Sequence, residues 1–218
     1  MPEEKDESLQ DLRRAIFEYD RESAARSAEQ SLEHGIDPLV TLNVMTETIR
    51  EVGEAFERGD LWLPDLVGAS EAMQSAVPLI EDEIRRKGVE RKSLGTVIAG
   101  TVFGDIHSIG KTMVTTLLTA AGFRVVDLGI NVTAERFLEA VREQKADLLV
   151  MSALMTTTCA EQQKVIAALR KEGLREKVKV MVGGAAVTEE FKDSIGADGY
   201  DPTAPGAVGL AKRLVGKT

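Results

Sequence analysis

Histidine and cysteine are scarce in the 218-residue sequence, which holds two of the first and one of the second. No disulfide can form within a single chain, and a zinc site of the Cys/His type, which takes three or four such ligands, is nearly impossible when the whole chain holds three. Positive charge is in deficit: 27 Lys+Arg against 36 Asp+Glu leave a net charge of −9. That balance argues against a nucleic-acid binder, whose contact face is basic. Aromatic residues make up only 4%. Long apolar runs are missing as well. The longest, residues 148–155, is interrupted by Ser152 and is far too short to span a bilayer. Residues 1–20 are charged throughout and lack the apolar core of a secretory leader. The lone thiol, Cys159, fits a reducing compartment. These shortages predict a soluble, cytoplasmic protein with neither a membrane nor a nucleic acid as partner.

What is present is an ordinary globular composition, 43% hydrophobic and 29% charged, arranged in two styles that change near residue 90. Before that point apolar residues recur at helical spacing. Leu9, Leu12, Ile16 and Tyr19 form one series, continued by Ala24, Ala28 and Leu32. Another follows the capping pair Asp37-Pro38 and ends at Gly59-Asp60. A further series runs from Leu63-Pro64 to Gly88, with Pro78 expected to kink or divide it. Such amphipathic helices joined by short turns predict a small bundle over residues 1–90.

From residue 91 to 218 short β-rich runs, at 96–102, 124–128, 147–152 and 177–182, alternate with helical stretches at 111–121, 134–144, 160–172, 187–194 and 206–215. Unbroken Val/Ile/Leu strands alternating with helices predict a doubly wound parallel sheet covered on both faces. The polar, basic stretch 85–93 is the expected linker. In such a sheet ligands sit beyond the carboxyl ends of the strands, which directs attention to the loops at 103–111, 129–133, 153–159, 183–188 and 201–206.

The first of these loops reads Gly104-Asp105-Ile106-His107-Ser108-Ile109-Gly110-Lys111. Imidazole is a good donor to a transition metal, and a metal-bound histidine usually gives its second N–H to a carboxylate. Taken alone, the segment fits a capped strand-to-helix turn equally well. Two further loops change the balance. Ser152-Ala153-Leu154-Met155-Thr156-Thr157-Thr158 ends a strand with hydroxyls and no charge. Val182-Gly183-Gly184-Ala185-Ala186 ends another with paired glycines, which let a flat or extended ligand approach the backbone closely. Together the loops suit a large polar cofactor tail.

The three blocks, Asp105/His107/Gly110, Ser152/Leu154 and Gly183/Gly184, resemble the Asp-x-His-x-x-Gly, Ser-x-Leu and Gly-Gly pattern of cobalamin-binding proteins. Gly110 and Ser152 are separated by 41 residues, Leu154 and Gly183 by 28, both gaps fitting that family. Residues 53–73 resemble the helical cap found beside this module. The sequence is thus similar, over nearly its whole length, to the corrinoid proteins of cobalamin-dependent methyltransferase systems.

The resemblance implies a helical cap followed by a flavodoxin-like, Rossmann-type cobalamin-binding domain. It implies cobalamin as cofactor, methylcobalamin in the loaded state, with His107 replacing the cofactor's own dimethylbenzimidazole as the lower axial ligand of cobalt. Asp105 would hydrogen-bond the far ring nitrogen, with Ser152 extending that relay. Ser108, Ile109, Gly110, Leu154, Thr156, Thr157, Gly183, Gly184 and Ala185 would contact the cofactor, its nucleotide tail lying between residues 152–158 and the paired glycines. Phe56, Leu63, Leu66 and Met73 resemble the apolar cap residues over the corrin, although spacing alone makes all four ordinary bundle core. The implied partners are a substrate-specific corrinoid methyltransferase, a methylcorrinoid:tetrahydrofolate or thiol methyltransferase, and a reductive activator. The chain would carry methyl groups within a multi-component system and would not be catalytic alone.

The rival is a cobalamin-dependent sensor module, which needs an output domain such as a helix-turn-helix; the short acidic N-terminus offers none. Three residues invite weaker functional readings. Gly110-Lys111-Thr112 resembles the end of a phosphate loop, but the earlier glycine such a loop needs falls at Asp105. His34, near a helix end, fits a structural role. Cys159, at a helix start, fits packing better than reactivity.

Overall fold

The apolar spacing of the first part of the chain folds as four helices in the computed structural model, which describes residues 2–87 and 93–216. They are α1 (Pro2–Phe17), α2 (Arg21–Glu33), α3 (Pro38–Arg58) and α4 (Leu63–Lys87). Local chemistry sets their ends. The carboxylates of Asp20 and Asp37 accept from the N–H groups of Ser23 and Leu39, Pro38 stands in the first turn of α3, and Gly59 closes that helix at φ 80°. Helix α2 packs against α1 and α4, and α3 against α4 and α1. Leu12, Ile16, Met45, Ile49, Leu66 and Ile80 are fully buried.

Pro78 does not divide its helix: α4 runs from Leu63 to Lys87 with the proline inside. Pro78 is on the exposed side, where water can satisfy the carbonyl that loses its partner. Residues 88–92, with most of the expected linker and the stop at Gly88, lie outside the described residues. No helix among the described residues is long and apolar enough to cross a membrane.

The chain divides into two units, Met1–Lys92 and Ser93–Thr218. The second holds β1 (Thr96–Thr101), α5 (Ile109–Ala120), β2 (Arg124–Asp127), α6 (Ala134–Gln144), β3 (Leu148–Ser152), α7 (Thr156–Lys171), β4 (Lys179–Gly183), α8 (Glu189–Ile195), β5 (Gly199–Tyr200) and α9 (Ala204–Leu214). All pairings are parallel and the strand order is β2-β1-β3-β4-β5. This is the flavodoxin-like order, whose switch point falls between β1 and β3. The two faces bury different sets. Ile98, Leu149, Met151, Val180 and Val182 meet Phe137, Val165, Ile166 and Leu169 of α6 and α7. Val97, Ala99, Leu148, Val150 and Met181 meet Leu118, Ala207 and Ala211 of α5 and α9.

Two elements depart from the sequence expectation. The two-residue strand β5 is too short, with one glycine and one tyrosine, to show a periodic signal. Helix α7 starts at Thr156 rather than near residue 160, because the threonine run, poor in helix propensity, forms its first turn and not a loop.

Candidate cofactor site

The loop from β1 to α5 carries Asp105 and His107 to the carboxyl end of the sheet, beside the switch point. Asp105 is fully buried although it is an acid, so its oxygens must find donors. They find four. Oδ1 accepts from the His107 N–H at 3.0 Å and from His107 Nδ1 at 2.8 Å; Oδ2 accepts from the Leu154 N–H at 2.8 Å and from the Thr158 hydroxyl at 2.6 Å. Burial alone would push this carboxyl up. The Thr158 hydroxyl, the His107 N–H and ring and the Leu154 N–H more than reverse that, holding it well below the usual carboxylate range.

An ionised carboxylate only accepts, so Nδ1 of His107 donates to Asp105 and Nε2 is the ring nitrogen left to face another partner. The imidazole is 46% exposed while its partner is wholly inside. The result is a ring nitrogen oriented by a buried carboxylate. The same loop, the start of α5 and the residues just before α7 carry apolar side chains that remain open to solvent: Phe103, Ile106, Ile109, Leu154 and Met155.

The loop itself is laced to its neighbour. Asn131, at φ 55°, accepts from the Gly104 N–H through Oδ1 at 2.8 Å and donates its own N–H to the Asp105 carbonyl at 3.0 Å. Lys111 is buried and paired with Asp127, which also accepts from the Gly129 N–H at 2.9 Å. The lysine after Gly110 is therefore occupied inside the fold and does not face a phosphate.

The remaining nominated residues divide by location. Ser108 precedes α5 without capping it through its side chain, and a Cβ on Gly110 would meet nothing within 4 Å. Ser152 ends β3, half-buried, its carbonyl accepting from the Val102 N–H. Gly183 pairs beside it at the end of β4. A Cβ on Gly183 would stand in open space, whereas Gly184, at φ 127°, lies so close to the Ala153 carbonyl that a Cβ would be 1.8 Å from its oxygen. Thr156, Thr157 and Ala185 are exposed around this slot. Phe56 and Leu63 are half-buried and Met73 is buried in the helical unit.

The hydroxyl on Asp105 belongs to Thr158, in place of the expected Ser152. Ser152 is on β3, one residue before the chain leaves the sheet, and points to the α5/α9 face by strand alternation with Leu148 and Val150. Thr158 is on the first turn of α7, on the other face. Three consecutive threonines hide which one turns inward. The available signal was Thr158 with Gln162, a polar pair one helical turn apart on a face otherwise lined by Cys159, Val165, Ile166 and Leu169. Cys159 itself is buried, and desolvation, with the nearby Asp105 charge, pushes its thiol up. That is the opposite of an activated nucleophile.

Replacing Thr158 by valine keeps the shape and removes one of the four donors. Stability at neutral pH should fall by about 1–2 kcal/mol. The Asp105 carboxyl should rise towards its unfolded value, so that acid unfolding begins at a higher pH. Urea titrations at pH 7 and pH 4 read both effects; an unchanged acid limb would show that the hydroxyl does not support the charge.

Among the described residues no group of three or more His, Cys, Asp or Glu side chains could hold a metal ion. A metal brought by a macrocycle with its own equatorial nitrogens makes a smaller demand: one oriented donor, an apolar apron and a side-chain-free slot. Exposed His107, the exposed apolar side chains of these loops and the open Gly183 position meet it.

Comparison with known proteins agrees on both units. A family described as B12 binding domain matches residues 95–208, and a second family of the same description matches residues 8–81. The chain is 43% identical to trimethylamine corrinoid protein 1 of Methanosarcina acetivorans over 97% of its own length and 98% of the relative's. It is 42% identical to dimethylamine corrinoid protein 1 of Methanosarcina mazei over 98% and 99%. Among solved structures, the methanol:cobalamin methyltransferase complex of Methanosarcina barkeri contains a chain that superposes with a TM-score of 0.78 at 31% identity, covering 98% of this chain and 81% of that one.

Proposed function

The chain belongs to the B12-binding corrinoid proteins of methyltransferase systems, and from that membership we propose that it holds cobalamin with His107 as the lower axial ligand and carries a methyl group between two partner enzymes. The observation behind the ligand assignment is the Asp105–His107 pair: a buried carboxylate bound to Nδ1 orients the ring and leaves Nε2 as the nitrogen available to coordinate. When bound, a corrinoid supplies a cobalt centre that accepts a methyl group from one donor and yields it to another.

The protein's own contribution is positional. Asp105 keeps the ring in one tautomer and one orientation, and Thr158 and the Leu154 N–H keep Asp105 ionised. Phe103, Ile106, Ile109, Leu154 and Met155 offer apolar surface around the ligand and exclude water there. Gly183 and Gly184 leave backbone bare for a nucleotide tail entering beside Ser152. Ser108, Gly110, Thr156, Thr157 and Ala185 border these surfaces. We assign the helical unit, residues 1–90, the role of cap through Phe56, Leu63 and Met73, and residues 91–218 that of cofactor holder.

The partners in this proposal are a substrate-specific corrinoid methyltransferase, a second methyltransferase delivering to tetrahydrofolate or a thiol, and a reductive activator. Similarity to proteins named for trimethylamine and dimethylamine supports a methylated amine as the upstream donor class.

The test is spectroscopic. Wild type and His107→Ala are reconstituted with methylcobalamin and their visible spectra compared. Wild type should show the cofactor's own base displaced and histidine coordinated, and the variant should lose the histidine coordination while retaining corrinoid. Identical spectra for the two would overturn the ligand assignment.

A further inference from the structure

Helix α7 turns two polar side chains into an apolar core. Thr158 holds Asp105. Gln162, one turn further on, is fully buried, and its Nε2 donates to the carbonyl of Met151 in β3 at 3.0 Å and to that of Gly183 in β4 at 3.2 Å. Two carbonyls at the nitrogen fix the orientation of the amide, because the flipped form would set Oε1 against both. In the orientation so fixed, Oε1 is buried without a hydrogen-bond partner. An unpaired buried acceptor is destabilising, and methionine would fill the same volume without one. Packing therefore does not account for glutamine at this position; the two carbonyls do.

The Gly183 carbonyl also accepts from the Ala153 N–H at 3.0 Å. Two donors thus hold the peptide that joins Gly183 to Gly184, the backbone that forms the bare slot. The same segment that supplies Ala153 supplies the Leu154 N–H to Asp105. We propose that Gln162 is a positioning residue for the nucleotide-tail slot: by clamping the carbonyls of Met151 and Gly183 it sets the spacing of the β3 and β4 ends, and hence the affinity for a corrinoid that carries a tail. This rests on the cofactor reading above and assigns Gln162 no contact with the corrin ring or the cobalt.

Methylcobalamin and methylcobinamide, which lacks the nucleotide tail, separate the slot from the rest of the site. Dissociation constants for both are measured by spectral titration of the full-length wild type, Gln162→Met and Gln162→Leu, with thermal midpoints recorded for each protein. Wild type should prefer methylcobalamin. Both variants should bind methylcobalamin on the order of tenfold more weakly, the scale of one lost hydrogen bond, and methylcobinamide within about twofold of wild type, with thermal midpoints no lower and the histidine-coordinated spectrum retained. Equal weakening of both corrinoids, or no weakening of either, would overturn the role of Gln162 and leave the cofactor reading standing. A wild type without preference for the tailed corrinoid would overturn the tail slot itself and this inference with it. Two apolar variants of different shape guard against one failing to fold.

Discussion

Gly184→Ala should be the most damaging single-methyl addition in the α/β unit. The residue sits at φ 127°, and a Cβ there would be 1.8 Å from the Ala153 carbonyl oxygen and 2.6 Å from its carbon. Both atoms belong to backbone that cannot move alone. The Ala153 N–H is bonded to the Gly183 carbonyl, and the next N–H, of Leu154, is bonded to buried Asp105. Backbone strain in this glycine-only region costs about 1–3 kcal/mol before the overlap is counted, and relief of the overlap must shift the strand ends. We expect a loss of about 3 kcal/mol or more in urea denaturation, a large fraction of a typical total of roughly 5–15 kcal/mol. Gly183→Ala is the control. Its Cβ would meet nothing within 4 Å, so apo stability should change by no more than about 0.5 kcal/mol, while affinity for methylcobalamin should fall because the methyl group enters the slot. Equal stabilities for the two variants would remove the close approach as the reason for glycine at 184.

The contrast between those neighbours also marks where sequence stops being informative. The pair Gly183-Gly184 was visible, and its place at a strand end followed from the apolar run before it. That one glycine is required by the fold and the other leaves space for a ligand is a matter of which way each Cβ would point, and composition does not encode it. The site shows the same division. The Asp105–His107 pairing was legible because the two residues are neighbours in one strand-to-helix loop, although that loop alone fitted a capped turn equally well and only the other two loops tipped the balance. Thr158 was not, because its contact spans 53 positions and depends on α7 beginning at Thr156. Gln162 was hidden for a related reason: a glutamine in a helical stretch reads as surface until the face it occupies is known. The four longer strands and the helices of the α/β unit were legible because short Val/Ile/Leu-rich runs alternate with helical stretches. Strand β5 was not, since two residues carry no period. Of the two outcomes expected at Pro78, a kink or a break, the break does not occur: an exposed position lets water satisfy the carbonyl that loses its partner.

Asp105→Asn should reveal how much of the site depends on a charge. In the folded protein the carboxyl is held well below its ordinary value, whereas in the unfolded chain it titrates near 3.9 or so. Its stabilisation is therefore complete above the unfolded value and is lost as pH falls through that value towards the folded one. Asparagine keeps the size but must point its amide nitrogen at one pair of donors. On the Oδ2 side the Thr158 hydroxyl can turn to accept, since the Met155 carbonyl at 2.9 Å takes its proton, and only the Leu154 N–H is orphaned. On the Oδ1 side the imidazole would have to give up its Nδ1 proton and the His107 N–H would be orphaned, so the first arrangement prevails and Nδ1 still donates to residue 105. One orphaned N–H and the loss of charge-assisted bonds together amount to about 2–4 kcal/mol at neutral pH. The deficit relative to wild type should shrink as pH drops below about 4, because wild type then loses the charge the variant never had. Corrinoid should still bind, with axial coordination weakened by roughly 10–100-fold. Urea denaturation of the apo proteins between pH 3 and 7 reads the first effect, and the visible spectrum of the methylcobalamin form reads the second. A stability difference independent of pH would mean that the four donors act on the shape of the side chain and not on its charge, and complete loss of corrinoid binding would make Asp105 a structural anchor of the loop.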